Sequence, residues 1–198
     1  MRAISSAVFL LACSHAARVP EMKADDKPLE FSNPPGKAPG LVRVSFAIES
    51  EQLVVHFKVE TKAIHAKPEL ARKEYPYDFD VVEVFVTNST ADKPRYYEFE
   101  VSPYDQALQV NVIDPRQEYY FGVKNGFAHA ARVTPRGWEA DMRIPLASLG
   151  WQRGQALHLR GNAYAALGEG DARVYWSLFE LPPGTPDFHI PSAFRPLF

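Results

Sequence analysis

The chain is nearly without cysteine: Cys13 stands alone, so no disulfide can close within it. It also lacks an excess of either charge. Lysine and arginine number 22 against 24 aspartates and glutamates, a formal net charge of −2 with no basic stripe, which removes the electrostatic footing for a nucleic-acid partner. Metal and haem signatures are missing too. The histidines, at positions 15, 56, 65, 129, 158 and 189, form no HExxH or close ligand pair, and no C-x-x-C-H attachment is present. No internal repeat and no long helical periodicity exist. The 17 prolines are too many for a helical protein and suit a loop-rich β fold. What is there, 46% hydrophobic and 13% aromatic residues over 198 positions, is enough for one domain with a sizeable core and excludes wholesale disorder.

The N-terminus reads as an export signal. Met1 and Arg2 precede a run from Ala3 to Ala12 that only Ser5 and Ser6 interrupt. This run is too short for an ordinary transmembrane helix. Leu10-Leu11-Ala12-Cys13 then resembles a bacterial lipobox, which makes Cys13 the expected lipidation site and the membrane an expected partner through a lipid anchor. An ordinary signal peptide cleaved near Ala16 or Ala17, or a buried apolar segment, is the alternative. Residues 14–40 hold five prolines and two glycines without apolar periodicity. They are expected to form a tether, with a first edge strand near Leu29 to Phe31. The expected organisation is a signal and lipobox over 1–13, the tether over 14–40 and one domain over 41–198, exported to the cell envelope as a monomer.

From Leu41 the hydrophobic period is two. Val42, Val44, Phe46 and Ile48 alternate with polar or small residues, and so do Leu53, Val55, Phe57 and Val59. The pattern returns at Tyr97–Val101, Leu108–Val112, Trp138–Ile144, Leu157–Ala165 and Val174–Leu178. Short alternating runs between Gly, Pro and Asp turns predict an all-β antiparallel sandwich with little helix. Single helical turns are expected at Pro145–Gly150, with Gly150 as the stop, and at Pro68–Lys73.

One strand departs from the pattern. In Asp80-Val81-Val82-Glu83-Val84-Phe85-Val86 a glutamate stands among apolar residues, with Tyr75 and Tyr77 just ahead. A charge in such a strand is costly unless it is paired or faces a wet cleft. Aromatic rings beside a strand-borne carboxylate suit a sugar, whose axial C–H face stacks on a ring while its hydroxyls need fixed polar partners. The plainer reading pairs Glu83 with Arg160 or another basic residue inside the fold. Trp176 shares parity with Val174 and Leu178 and can equally be core; Trp138 and Trp151 read as packing residues. Glu98 and Glu100 share one face of their strand and read as solvated.

The segments LVVHFKVET, YDFDVVEVFV, YYEFEVSP, GWEADMRIPLASLG, LRGNAYAALG, YWSLFE and PDFHIPSAFRPLF, in that order between Val42 and Phe198, resemble carbohydrate-binding module family 9. The resemblance implies a β-sandwich that binds oligo- or polysaccharide without catalysis, clamping a sugar between two aromatic rings, with structural calcium as the cofactor to expect. The family's D-x-V-E element falls on Asp80 to Glu83, so Glu83 would hydrogen-bond sugar hydroxyls. Tyr77 stands where the family usually has tryptophan as the first jaw. Trp176 matches the second jaw and Asn162 the asparagine of the preceding strand. The terminal FHIPSAF segment is expected to be architectural. Calcium ligands are not assignable from the sequence.

Rival readings are weaker. A glycosidase needs two carboxylates flanking one bond, and Glu83 has no evident second. Haem ligation would call on Met142, which lies on the apolar parity of its strand. A degenerate sandwich serving protein interaction is the runner-up.

Overall fold

The structure, a computed structural model, describes residues 19–36, 40–115, 117–122, 125–184 and 187–198. Cys13 and the export segment lie outside them. Among the described residues the chain forms β1 (Met22–Lys23), β2 (Lys27–Pro28), β3 (Phe31–Asn33), β4 (Gly40–Glu49), β5 (Gln52–Thr61), β6 (Val81–Thr87), β7 (Tyr96–Val101), β8 (Ala107–Asp114), β9 (Glu118–Phe121), β10 (Ala128–Thr134), β11 (Gly137–Pro145), β12 (Arg160–Leu167), β13 (Val174–Ser177) and β14 (Arg195–Pro196). All pairings are antiparallel. One sheet runs β1-β4-β5-β11-β10, with β2 also on β4; the other runs β3-β13-β12-β6-β7-β8-β9, with β14 also on β12.

The alternation dictates how the sheets meet. Val42, Val44, Phe46 and Ile48 of β4 point inward with Leu53, Val55, Phe57 and Val59 of β5 and Trp138, Ala140, Met142 and Ile144 of β11. They meet Val82, Val84 and Val86 of β6, Phe99 and Val101 of β7 and Ala163 and Ala165 of β12. This is a two-sheet sandwich whose inner faces interdigitate. Trp138 and Trp151 lie in it, as their patterns predict.

The second sheet is unusual because its outer face is also covered. Phe85, Tyr96, Val110, Val112, Tyr164 and Phe194 form a second apolar cluster there, with Phe188 packed against it. The covering chain is the C-terminal segment, which returns over β6, β7 and β12. Phe188 stacks on Tyr164 at 4.1 Å between ring centres, and Phe194 meets Tyr96 edge-on at 5.2 Å. β6 is therefore buried along its whole length, as a strand apolar on both faces should be.

Two expectations need correction. The described part of the expected tether is folded: β1 and β2 pair with β4, β3 pairs with β13, and Leu29 is buried in the main core. Each of these strands is two or three residues long, too short for period-two alternation to register. Helix is confined to single 3-10 turns among the described residues. Leu146–Leu149 forms one, ended by Gly150 in the left-handed region at φ 82°, but Pro68–Lys73 forms none and Pro76–Asp78 does.

Candidate functional site

Where the C-terminal segment stops short, the outer face of the second sheet opens into a cleft of about 380 Å³. Its rim is built by the turn before β6. Pro76 presets the first position, and the Tyr75 N–H donates to Asp78 Oδ2 at 2.9 Å. Arg173 holds the turn from β13's side. Its Nη1 donates to the Asp78 carbonyl at 3.0 Å, and its Nη2 to the carbonyls of Tyr77 and Phe79, each at 2.8 Å. Asp80 fixes the far end of the turn by accepting the N–H groups of His65, at 2.9 Å, and Gly168, at 2.6 Å. Burial pushes the Asp80 carboxyl up, and those two bonds oppose the shift. The result is an aromatic rim. Tyr77 stacks on Tyr75 at 5.1 Å and 11°, and Phe121 of β9 lies 6.4 Å from Tyr75. Tyr77 is 41% exposed and Phe121 58%, so both rings remain open to a ligand.

The floor is acidic. Glu83 of β6 stands directly opposite Glu100 of β7, and Glu98 lies two residues before Glu100 on the same face. One carboxylate oxygen from each lies within 4.8 Å of the others. The three residues are 4%, 6% and 0% exposed for Glu83, Glu98 and Glu100. Like charges placed opposite each other in a sheet repel, and burial removes the water that would screen them. Burial first and the Glu98 charge second hold Glu83 well above the usual carboxylate range, with Arg173 opposing. Glu100 is pushed up likewise, by burial, then by Glu83 and Glu98. The Tyr77 backbone and Glu98 come close to Glu100, yet neither of its oxygens completes a hydrogen bond of good geometry. The floor therefore holds its protons more tightly than isolated glutamates do.

The remaining wall comes from Tyr175 of β13 and from Phe188 and His189. Tyr96 Oη and His189 Nδ1 share a hydrogen bond of 2.8 Å, and the Tyr164 hydroxyl donates to the Phe188 carbonyl at 3.2 Å. The closing segment is thus part of the cleft as well as of the architecture.

Of the residues expected at a binding site, the structure brings Tyr77 and Glu83 together and separates the other two. Trp176 points from β13 into the main core and is 8% exposed; its neighbour Tyr175 takes the cleft side. Asn162 shares the cleft-side parity of β12 but is fully buried. Its Nδ2 donates to the Phe179 carbonyl and its Oδ1 accepts the Phe179 N–H, both at 3.0 Å, which ties down the chain leaving β13. Glu83 does not face Arg160 either, for Arg160 stands opposite Thr87 and Tyr164 stands opposite Glu83. Glu98 and Glu100, expected to be solvated, are buried: His189 Nε2 stands 3.8 Å from Glu98, and the Tyr77 backbone lies beside Glu100. Arg173 and Tyr175 had no local signal beyond Tyr175 having the parity opposite to Val174.

A larger hollow of about 510 Å³ adjoins the cleft across Tyr175 and Phe188. It lies between β3 and residues 180–184, and an edge of Trp176 reaches it. Size favours this hollow, but chemistry favours the cleft, where carboxyls and exposed rings converge. The cleft floor is also where acidic side chains gather at cation spacing among the described residues. Three carboxyls would supply about half the six to eight oxygens that calcium takes.

No family model matches the chain. It is 29% identical to the UPF0462 protein C4orf33 homolog of Rattus norvegicus over 132 residues, which is 61% of this chain and 59% of that protein. The Mus musculus homolog is 28% identical over 126 residues, 61% of each chain. The chain thus spans about three fifths of the curated relatives it matches. Among solved structures, a Bacteroides uniformis protein with a provisional carbohydrate-binding description superposes with a TM-score of 0.70 at 19% identity, over 86% of this chain and 84% of that one. A family 9 module from Caldicellulosiruptor kristjanssonii superposes in its cellotriose complex with a TM-score of 0.59 at 14% identity, over 86% and 79%. In its glucose complex the values are 0.62 and 13%, over 86% and 81%. By fold, this chain is a β-sandwich of the carbohydrate-binding module family 9 type.

Proposed function

We propose that the chain binds oligo- or polysaccharide in the cleft of its outer sheet face, without chemical turnover. One observation carries this reading: exposed rings of Tyr77 and Phe121 border buried carboxyls that reach into the same open space. A pyranose has the matching surface, an apolar face for a ring and hydroxyls at its edge. The fold it shares with modules solved with glucose and cellotriose supports the same reading. Tyr77 and Tyr175 take the stacking roles, and Glu83 takes the hydroxyls. Binding to a glycan array, followed by calorimetry, tests this. Tyr77→Ala and Tyr175→Ala should each lose on the order of 1 kcal/mol of affinity, roughly fivefold. An array on which no glycan is retained would leave the protein-interaction sandwich as the better reading.

The carboxyl spacing invites an enzymatic reading, since retaining glycosidases hold two carboxyls about 5 to 5.5 Å apart. Here the three rise side by side from neighbouring positions of one sheet and compete for protons. None is placed to attack a bond whose other side a partner protonates. Aryl-glycoside hydrolysis that Glu83→Gln abolishes would reverse this assignment.

The proposal extends to location. Cys13 after its short apolar run supports an exported, lipid-anchored envelope protein acting beside carbohydrate breakdown. Cys13→Ser should release the protein from membranes or leave an unprocessed precursor; unchanged mass and fractionation would refute it.

A further inference from the structure

The cleft is unbalanced in its hydrogen-bonding groups. A neutral sugar presents hydroxyls that donate and accept, so its site normally offers both kinds of partner. Here the acceptors dominate. Glu83, Glu98 and Glu100 crowd the floor, while Asp187 on the wall already accepts the His189 N–H. The donors of the basic side chains are largely committed, and His189 Nε2 lies 3.8 Å from Glu98 Oε2. Both terminal nitrogens of Arg173 are spent on the carbonyls of residues 77 to 79, and His189 Nδ1 is engaged by Tyr96. Two groups are left over. Glu100, fully buried, has neither carboxyl oxygen satisfied, and the Nε of Arg173 is shielded from solvent with no partner. The first calls for a ligand that brings several donors to one point. The second offers a single donor to a nearby hydroxyl.

An ammonium group brings three donors and no acceptor, and its positive charge relieves the repulsion among the carboxyls. Resting on the carbohydrate reading above, we propose that the cleft selects an amino sugar with a free, protonated amine, its ammonium seated on the Glu83–Glu98–Glu100 floor and its ring face against the aromatic rim. The open volume of about 380 Å³ and the exposed rings of Tyr77 and Phe121 leave room for a sugar ring above that floor. A bare divalent ion would use the same charge but not the rings.

Burial and mutual repulsion hold Glu83 and Glu100 high, and an ammonium beside them favours their charged forms, so the amine's affinity should rise with pH while the amine itself stays charged. The groups facing the ammonium are Glu83, Glu98, Glu100 and Asp187 as acids, Arg173 and His189 as bases, and the phenols of Tyr77, Tyr119 and Tyr175.

The test is calorimetry on the full chain with three matched disaccharides: glucosamine disaccharide, its N-acetylated form and cellobiose. At neutral pH the free amine should bind about tenfold tighter than either neutral sugar. That preference should shrink as pH falls. Glu100→Gln, with its melting temperature checked, should abolish the preference for the free amine over the two neutral sugars. Equal affinity for all three sugars overturns the amine proposal and leaves carbohydrate binding standing. Binding of none of them overturns both. Each titration is repeated with added calcium and with chelator. A calcium requirement for neutral-sugar binding, with the amine preference lost in calcium, would assign the floor to the metal and overturn the proposal; indifference to both additions supports it.

Discussion

The two faces of β6 and β7 are buried to the same depth and chemically opposite. On the inner face, Val82, Val84, Val86, Phe99 and Val101 are fully buried against the facing sheet. On the outer face, Val81, Glu83, Phe85, Tyr96, Glu98 and Glu100 are 6% exposed or less, yet half of them carry carboxyls. Burial alone does not distinguish core from site. The inner face is closed by a complete sheet whose side chains match it. The outer face is closed by one returning segment that covers Phe85 and Tyr96 and leaves the glutamates facing a gap. A carboxyl buried without partners destabilises the fold, so the outer face carries a cost that a complementary ligand can offset.

The sharpest way to break this contrast is to cut a residue that belongs to the inner face but was expected in the outer one. Trp176→Ala should cost about 3 to 5 kcal/mol of stability, as for large buried aromatics. Affinity of the folded fraction for sugar should stay unchanged. Thermal unfolding and calorimetry on the same variant check this. A stable variant with lost affinity would return Trp176 to the ligand and undo the comparison.

A smaller effect sharpens it from the other side. Glu100 has its folded value raised above the unfolded one, so the folded state holds the proton more tightly. Stability from this group is present at pH below the ordinary carboxyl value and is lost as pH rises through the raised value. Glu100→Gln removes that loss. The variant should be more stable than the parent near neutral pH by on the order of 1 kcal/mol, with the gain fading towards pH 4. Denaturant melts across that range test it; a destabilised variant at neutral pH would mean that Glu100 has a partner inside the fold.

Period-two patterning was enough to specify an antiparallel sandwich, because each long strand presents one face to a core. It also placed Glu83 correctly as a charge in a strand covered on both sides. Alternation misled at Glu98 and Glu100, since polar residues opposite an apolar face are normally wet. The groups beside them come from elsewhere in the chain, His189 against Glu98 and the Tyr77 turn against Glu100. Tyr175 and Trp176 show the limit of reading by resemblance. Trp176 drew the binding role from its match to the second jaw of the family it resembles, while strand parity sends it to the core and its neighbour Tyr175 to the cleft. Strand β10 escaped notice because it is an edge strand exposed on both sides, where no alternation is enforced.

The short strands β1 to β3 bear on how far this module can reach. With the tether expected over 14–40, an acylated Cys13 would let the sandwich roam roughly 90 Å from a bilayer, at about 3.4 Å for each extended residue. Met22 is already hydrogen-bonded to the edge of the first sheet, opposite Ile48. Nine peptide steps would then separate the proposed anchor from the domain, a leash of about 30 Å at full stretch. Anchored as proposed, the sandwich would stay within roughly its own width of the lipid. It would meet glycans lying at the membrane surface and leave more distant chains to other proteins.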